Sequence, residues 1–140
     1  MECPEPLSIC HTVNTLLQFH QKSVTRIKLS FYLFPLPNTT KNNLAIGELC
    51  QFVNMKRLEL RGCPSANDIS MRKVVETCSL SKVVFDKTSI THSTIETLAK
   101  YSGKQLKELR FGTNDQRLGN VIPMLATHCP NLQILEPLKS

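Results

Sequence analysis

The sequence predicts an α/β fold of stacked strand-turn-helix units, with parallel strands on a concave side and helices on a convex side. Three observations lead there. A nine-residue frame, L-x-x-L-x-apolar-x-x-N, is clearest in Leu106 to Asn114 and recurs from Val24, Met55, Leu80 and, in part, Leu132. Its first positions are 31, 25, 26 and 26 residues apart, a period at which units too small to bury their own apolar faces stack on one another. Each of the first four frames is followed by apolar residues at i, i+3, i+4 and i+7, the stripe of a helix packed on one side.

Taken in order, residues 1–6 hold two prolines and no periodicity, and read as a lead-in. A helix over about Leu7 to Lys22 turns Val13, Leu16, Leu17 and His20 to the core. Strands are expected near 24–29, 55–60, 80–85, 106–111 and 132–137, because apolar residues fall at steps of three then two with charges between them, too short a pattern for a helix. Frame positions 1, 4 and 6 then point inward, and 2, 3, 5 and 7 face solvent. The intervening helices carry the stripes Ile46/Leu49/Cys50/Val53, Met71/Val74/Val75/Cys78, Ile95/Leu98/Ala99/Ser102 and Ile122/Leu125/Ala126/Cys129. Ser93-x-x-Glu96 reads as a capping box, Asn67 and Asp68 offer cap oxygens, and Pro123 fits a first helical turn, where its missing donor costs nothing. Tyr32 to Asn43, with Pro35 and Pro37, is a surface loop lengthening the first unit; its apolar part, Phe31 to Leu36, either tucks against the end of the stack or forms a contact patch, the first being favoured.

Composition sets the class. With 41% hydrophobic residues over 140 positions the chain can bury a core as a single domain over 1–140. Seventeen Lys and Arg against eleven Asp and Glu give +6, which favours an acidic partner. No stretch is apolar enough to span a membrane, and MECPEPLSIC lacks the regions of a signal peptide, so an intracellular location, cytoplasmic or nuclear, is expected. Cys3, Cys10, Cys50, Cys63, Cys78 and Cys129 form no Cys-x-x-Cys pair and read as free thiols, mostly buried. The Asn38-Thr39-Thr40 sequon has no other support.

The frame, its period, Leu60-Arg61-Gly62-Cys63 and the unit end Leu125 to Leu132, LATHCPNL, resemble leucine-rich repeats of the cysteine-containing type, over roughly residues 7–137. Tyr32 and Thr88 depart from the usual Asn or Cys, and Ser89-Ile90-Thr91 only echoes the signature that follows such strands. The resemblance implies a leucine-rich repeat solenoid of about five repeats. It also implies a substrate-receptor arm like those of F-box ubiquitin ligases, although no F-box is found and the residues before Val24 already serve as a repeat helix.

Chemistry points away from catalysis. Cys10-His11 and His128-Cys129 are adjacent pairs whose side chains diverge on a helix, so neither chelates a metal, and the five glycines form no phosphate loop. No cofactor is expected. The exposed strand positions instead hold nine of the seventeen basic residues, with Arg26, Lys28, Lys56, Arg57, Arg61, Lys82, Lys107 and Arg110 as the candidate partner-binding set. Against the reading that mixed charges merely solvate this face stands a docking surface for an acidic protein segment. A nucleic-acid or phosphate-binding module is the alternative, disfavoured by Glu59, Asp86, Glu108 and Glu136 and by the lack of an aromatic platform apart from Phe31. The last strand is expected to be half-covered, its open side closed by more of a larger chain or by another subunit.

Overall fold

A computed structural model describes residues 9–33, 35–112 and 119–138. The expected lead-in, Leu7, Cys3, Phe34 of the long loop and Asn114 at the end of the clearest frame lie outside the described residues.

Five parallel strands form one sheet in chain order: β1 Arg26–Ser30, β2 Arg57–Arg61, β3 Lys82–Asp86, β4 Glu108–Phe111 and β5 Ile134–Pro137. Five helices alternate with them: α1 Ile9–His20, α2 Thr40–Gly47, α3 Asp68–Thr77, α4 His92–Ser102 and α5 Val121–His128, each packed on the next. Every strand starts two residues past the first position of its frame. Met55, Leu80 and Leu106 are therefore buried ahead of the strands, where the chain turns in from a helix.

Register turns the repeat into rows. Ile27, Leu58, Val83, Leu109 and Leu135 lie side by side, as do Leu29, Leu60, Phe85, Phe111 and Pro137, and in both rows the first four members are buried against the helices. Each such side chain contributes roughly 1.5–3 kcal/mol by leaving water. Leu135 in β5 is 36% exposed.

The helices hold departures from the periodic reading. Val53 is 57% exposed and Phe52 is buried in its place, because α2 ends at Gly47 and Glu48–Gln51 form a 3-10 turn. At three residues per turn, the side chain three past Leu49 faces inward rather than the one four past it. In α5 the buried residues are Val121 and Leu125, while Ile122 and Ala126 are exposed; the run VIPML is apolar all round and does not set a phase. His20 is exposed at the end of α1. Thr91, not Ser93, caps α4, accepting from the Ser93 amide, and the reciprocal capping box belongs to Asn67 and Ser70 at α3.

Polar clasps join neighbouring units. Asp68 accepts from the Thr91 amide and from the hydroxyls of Thr91 and Thr94, tying the start of α3 to that of α4. Asn54 donates to the Lys22 carbonyl and Asn131 to that of Lys104, the same bond at two positions of the stack. The long loop divides. Phe31 and Leu36 are buried, whereas Tyr32 is half-exposed and Leu33 is open to solvent.

Candidate functional site

The helix-free face of the sheet carries the side chains of alternate strand residues, and register sorts them into three rows. Across the leading ends of the strands run Arg26, Arg57, Lys82, Glu108 and Ile134. The middle row is Lys28, Glu59, Val84, Arg110 and Glu136, and the trailing row is Ser30, Arg61 and Asp86.

The middle and trailing rows are largely self-neutralised. Glu59, only 4% exposed, lies 3.5 Å from Arg26 and 3.2 Å from Arg61, and Arg61 lies 3.8 Å from Asp86. Farther along, Glu108 takes Lys82 at 3.7 Å and Arg110 at 3.5 Å, and Arg110 also reaches Glu136 at 3.8 Å. Burial pushes the Glu59 carboxyl up, but the Arg61 hydrogen bond and the charges of Lys82, Arg61 and Arg26 outweigh it and hold the group below the ordinary glutamate range. Val84, a position the sequence places toward solvent, is fully buried. Its neighbours on this face are Lys82 and Asp86 on its own strand and Glu59 and Arg110 on the flanking ones, and the methylene stems of Lys82, Glu59 and Arg110 are long enough to cover it.

The eight candidate residues thus part into two groups. Arg26, Arg61, Lys82 and Arg110 are engaged by carboxylates of the same face, and half-buried Lys28 stands in register with Glu59. Lys56, Arg57 and Lys107 are exposed and form no ion pair among the described residues. All three lie at the leading edge. There the backbone makes a regular ladder: the carbonyl of Thr25 accepts from the amides of Lys56 and Arg57, that of Lys56 from Ser81 and Lys82, that of Ser81 from Lys107 and Glu108, and that of Lys107 from Gln133 and Ile134. With both amides of each step used inside the ladder, the edge is a fixed platform that presents side chains only.

A hollow of about 350 Å3 opens on this edge between β1, β2 and β3, lined by Thr25, Arg26, Lys56, Arg57 and Ser81. Thr25 and Ser81, which carry no charge, join the cations here. They occupy the second position of their frames, as Lys56 and Lys107 do, and that shared solvent-facing position was the signal available. On the helix side, grooves flank α3, one lined by Leu44, Gly47, Ile69 and Lys73 among others, the other by Asp68, Arg72, Ser93 and Thr97.

The described thiols are largely withdrawn from solvent. Cys63, Cys78 and Cys129 are buried, Cys10 and Cys50 are partly so, and burial raises the Cys78 thiol to about 11, far from thiolate at neutral pH. Among the described residues no group of three or more His, Cys, Asp or Glu is placed to hold a metal, and no helix is long and apolar enough to cross a membrane.

Comparison with solved structures finds the same arrangement elsewhere. The chain superposes on the tropomodulin C-terminal domain from Caenorhabditis elegans with a TM-score of 0.67, over 96% of this chain and 84% of that one. Only 11% of residues are identical, so the likeness is one of fold, a leucine-rich-repeat-like α/β domain. No family model matches the sequence, and no curated protein does. The tropomodulin domain and this chain share a sheet-and-helix frame on which most side chains differ, and binding resides in those side chains rather than in the frame.

Proposed function

We propose that this protein is a non-catalytic protein-protein interaction module, a single leucine-rich repeat domain of the cysteine-containing subtype, which docks an acidic segment of a partner along the leading edge of its sheet. The observation that carries the proposal is Arg57, which forms no ion pair among the described residues and is set between Arg26 and Lys82 and beside Lys56 on a rigid backbone ladder. Like charges placed directly opposite on neighbouring strands weaken a sheet; Arg26 and Lys82 are offset by Glu59 and Glu108, and Arg57 has no such carboxylate among the described residues. Catalysis has no comparable support among the described residues: Cys63, Cys78 and Cys129 are buried, and the face is an open platform. A substrate-receptor role in a ubiquitin ligase is the finer reading that the repeat subtype implies, and it would require a docking module on another chain or segment.

The test is fluorescence anisotropy with a labelled ten-residue polyglutamate peptide against the 140-residue protein and its Arg57→Glu variant. Saturable binding that weakens at least tenfold in the variant and falls with added salt is expected. Equal affinity for both proteins would sink the assignment of the leading edge.

A further inference from the structure

The three rows of the open face differ in how they handle charge. Along the middle row Glu59 sits between Lys28 and the buried Val84, and Arg110 is followed by Glu136; in the trailing row Arg61 is followed by Asp86. Only the leading row sets three cations side by side, Arg26, Arg57 and Lys82, before Glu108 ends the run. The two outer members are engaged by carboxylates, Arg26 by Glu59 two residues along β2 and Lys82 by Glu108 on β4, whereas Arg57 between them forms no ion pair among the described residues. Lys56, the residue before it, is equally unpaired among the described residues. The hollow at this point is lined by Thr25, Arg26, Lys56, Arg57 and Ser81, with no carboxylate in its wall.

We infer that this hollow is a phosphomonoester site, which takes one phosphoserine or phosphothreonine of the acidic partner segment. The inference rests on the docking proposal and sharpens its chemistry. A carboxylate is a monoanion that a single arginine fork satisfies, whereas a phosphorylated side chain brings about −1.5 to −2 charges and three strong acceptor oxygens at neutral pH. The Arg57 fork and the Lys56 ammonium, neither ion-paired among the described residues, line the hollow beside the Arg26 guanidinium that Glu59 already engages, a set that overmatches a carboxylate and fits a phosphate dianion. Thr25 adds a hydroxyl at the rim, while the Ser81 hydroxyl donates to the Lys56 carbonyl and steadies the strand that carries Lys56. The extent of the site also selects its ligand. A nucleic-acid strand continuing along the row would bring its next phosphates to Glu108, and one turning onto the face would meet Glu59 and Asp86. A single phosphate on a peptide meets neither.

The experiment uses the intact 140-residue protein and four labelled probes: the peptide Gly-Gly-phosphoserine-Gly-Gly, its Glu counterpart, the polyglutamate peptide and a ten-nucleotide oligouridylate. Inorganic phosphate serves as competitor. The phosphopeptide is expected to bind at least tenfold more tightly than its Glu counterpart, to be displaced by phosphate, and to lose at least tenfold in affinity in Arg57→Ala and in Lys56→Ala. Arg72→Ala, on α3 at the helix side of the sheet, should leave it unchanged. Should Arg57→Ala fail to fold, judged by circular dichroism, Lys56→Ala alone decides. If polyglutamate binds in an Arg57-dependent way but the phosphopeptide holds no advantage over its Glu counterpart, the phosphate site is overturned while the docking proposal stands. If neither acidic peptide binds, both fall. Tighter binding of the oligouridylate than of the phosphopeptide would overturn the phosphopeptide site in favour of nucleic acid.

Discussion

The hydroxyl of Tyr32, just past the end of β1, donates to the carboxylate of Asp86 at the end of β3, two strands away. Arg61, at the end of the strand between them, lies 3.8 Å from the same carboxylate. This bond pins the long first loop across the trailing edge of the sheet, with Phe31 buried behind it and the Leu36 amide donating to the Gly62 carbonyl at 3.0 Å. Tyr32→Phe removes the bond and keeps the ring. It should cost about 1 kcal/mol in urea unfolding and should speed hydrogen exchange at the Leu36 amide. An unchanged exchange rate would mean that the loop is held by Phe31 and Leu36 alone.

Gly62 closes β2 in the left-handed region, at φ +66, and a Cβ placed there would stand 2.7 Å from the Phe31 carbonyl oxygen. One strand on, the equivalent position after β3 is Lys87, at φ 55. Gly62→Ala combines backbone strain with a clash against main chain and should lose more than about 2 kcal/mol. Lys87→Gly relieves the same strain, offset in part by greater freedom of the unfolded chain, and should change stability by no more than about 1 kcal/mol. Thermal denaturation of the pair checks the contrast, and a mild Gly62→Ala would refute the clash.

Leu109 and Leu135 are partners in register, yet the first is fully buried and the second 36% exposed. Leu109→Ala should cost about 2–5 kcal/mol, and Leu135→Ala should cost about 1 kcal/mol or less, since little area leaves the core. Equal losses would show that β5 is covered as fully as β4.

What could be read from the sequence was whatever periodicity encodes. The frames place Ile27, Leu58, Val83 and Leu109 on one buried row, and the strand-helix alternation follows from the change of period between segments. What could not be read depends on register between segments. Val84 looks like a solvent-facing valine until Glu59 and Arg110 are known to flank it. The candidate cations look alike in one dimension, and only the lateral pairing separates Arg110, held by two glutamates, from Arg57, held by none among the described residues. The helix phases at Phe52 and Val121 were hidden for local reasons: a 3-10 turn in one case and an apolar run without a polar face in the other.

Acid should weaken the fold through two carboxylates. Against burial, the Arg61 hydrogen bond and the charges of Lys82, Arg61 and Arg26 hold Glu59 below the ordinary glutamate range; in Asp68 burial likewise raises the carboxyl, but the Thr91 and Thr94 hydroxyls, the Thr91 amide and the nearby His92 bring it below the ordinary aspartate range. A carboxyl whose folded pKa is depressed stabilises the protein above its unfolded pKa, roughly 3.9–4.3 for these two, and that contribution is lost as pH falls through the lower folded value. The melting temperature should hold above about pH 5 and decline below about pH 4. Glu59→Gln should lower it at pH 7 and flatten the decline. A decline of equal steepness in the variant would place its origin elsewhere.

Arg57 and Arg110 face the same side of the sheet, and charge reversal should divide them. Arg110→Glu would set a third carboxylate beside Glu108 and Glu136, break two ion pairs at 3.5 and 3.8 Å, and disturb the cover over Val84. It should cost about 1–3 kcal/mol, more than the half kcal/mol usual for surface changes. Arg57→Glu does the opposite: it replaces the middle of a row of three cations with an anion able to pair with both Arg26 and Lys82, whose Cα positions are its register neighbours. Cross-strand pairs of opposite charge contribute roughly 0.2–1 kcal/mol each, and like pairs oppose by a similar amount, so this variant should be as stable as the wild type or more so. Urea denaturation of the three proteins at low and high salt decides the matter, with the gain expected to shrink as salt screens it. A residue whose reversal strengthens the fold while abolishing acidic-peptide binding is kept for its ligand. If Arg57→Glu instead destabilises the protein, Arg57 belongs to the architecture of the sheet, and the case for a docking edge loses its central residue.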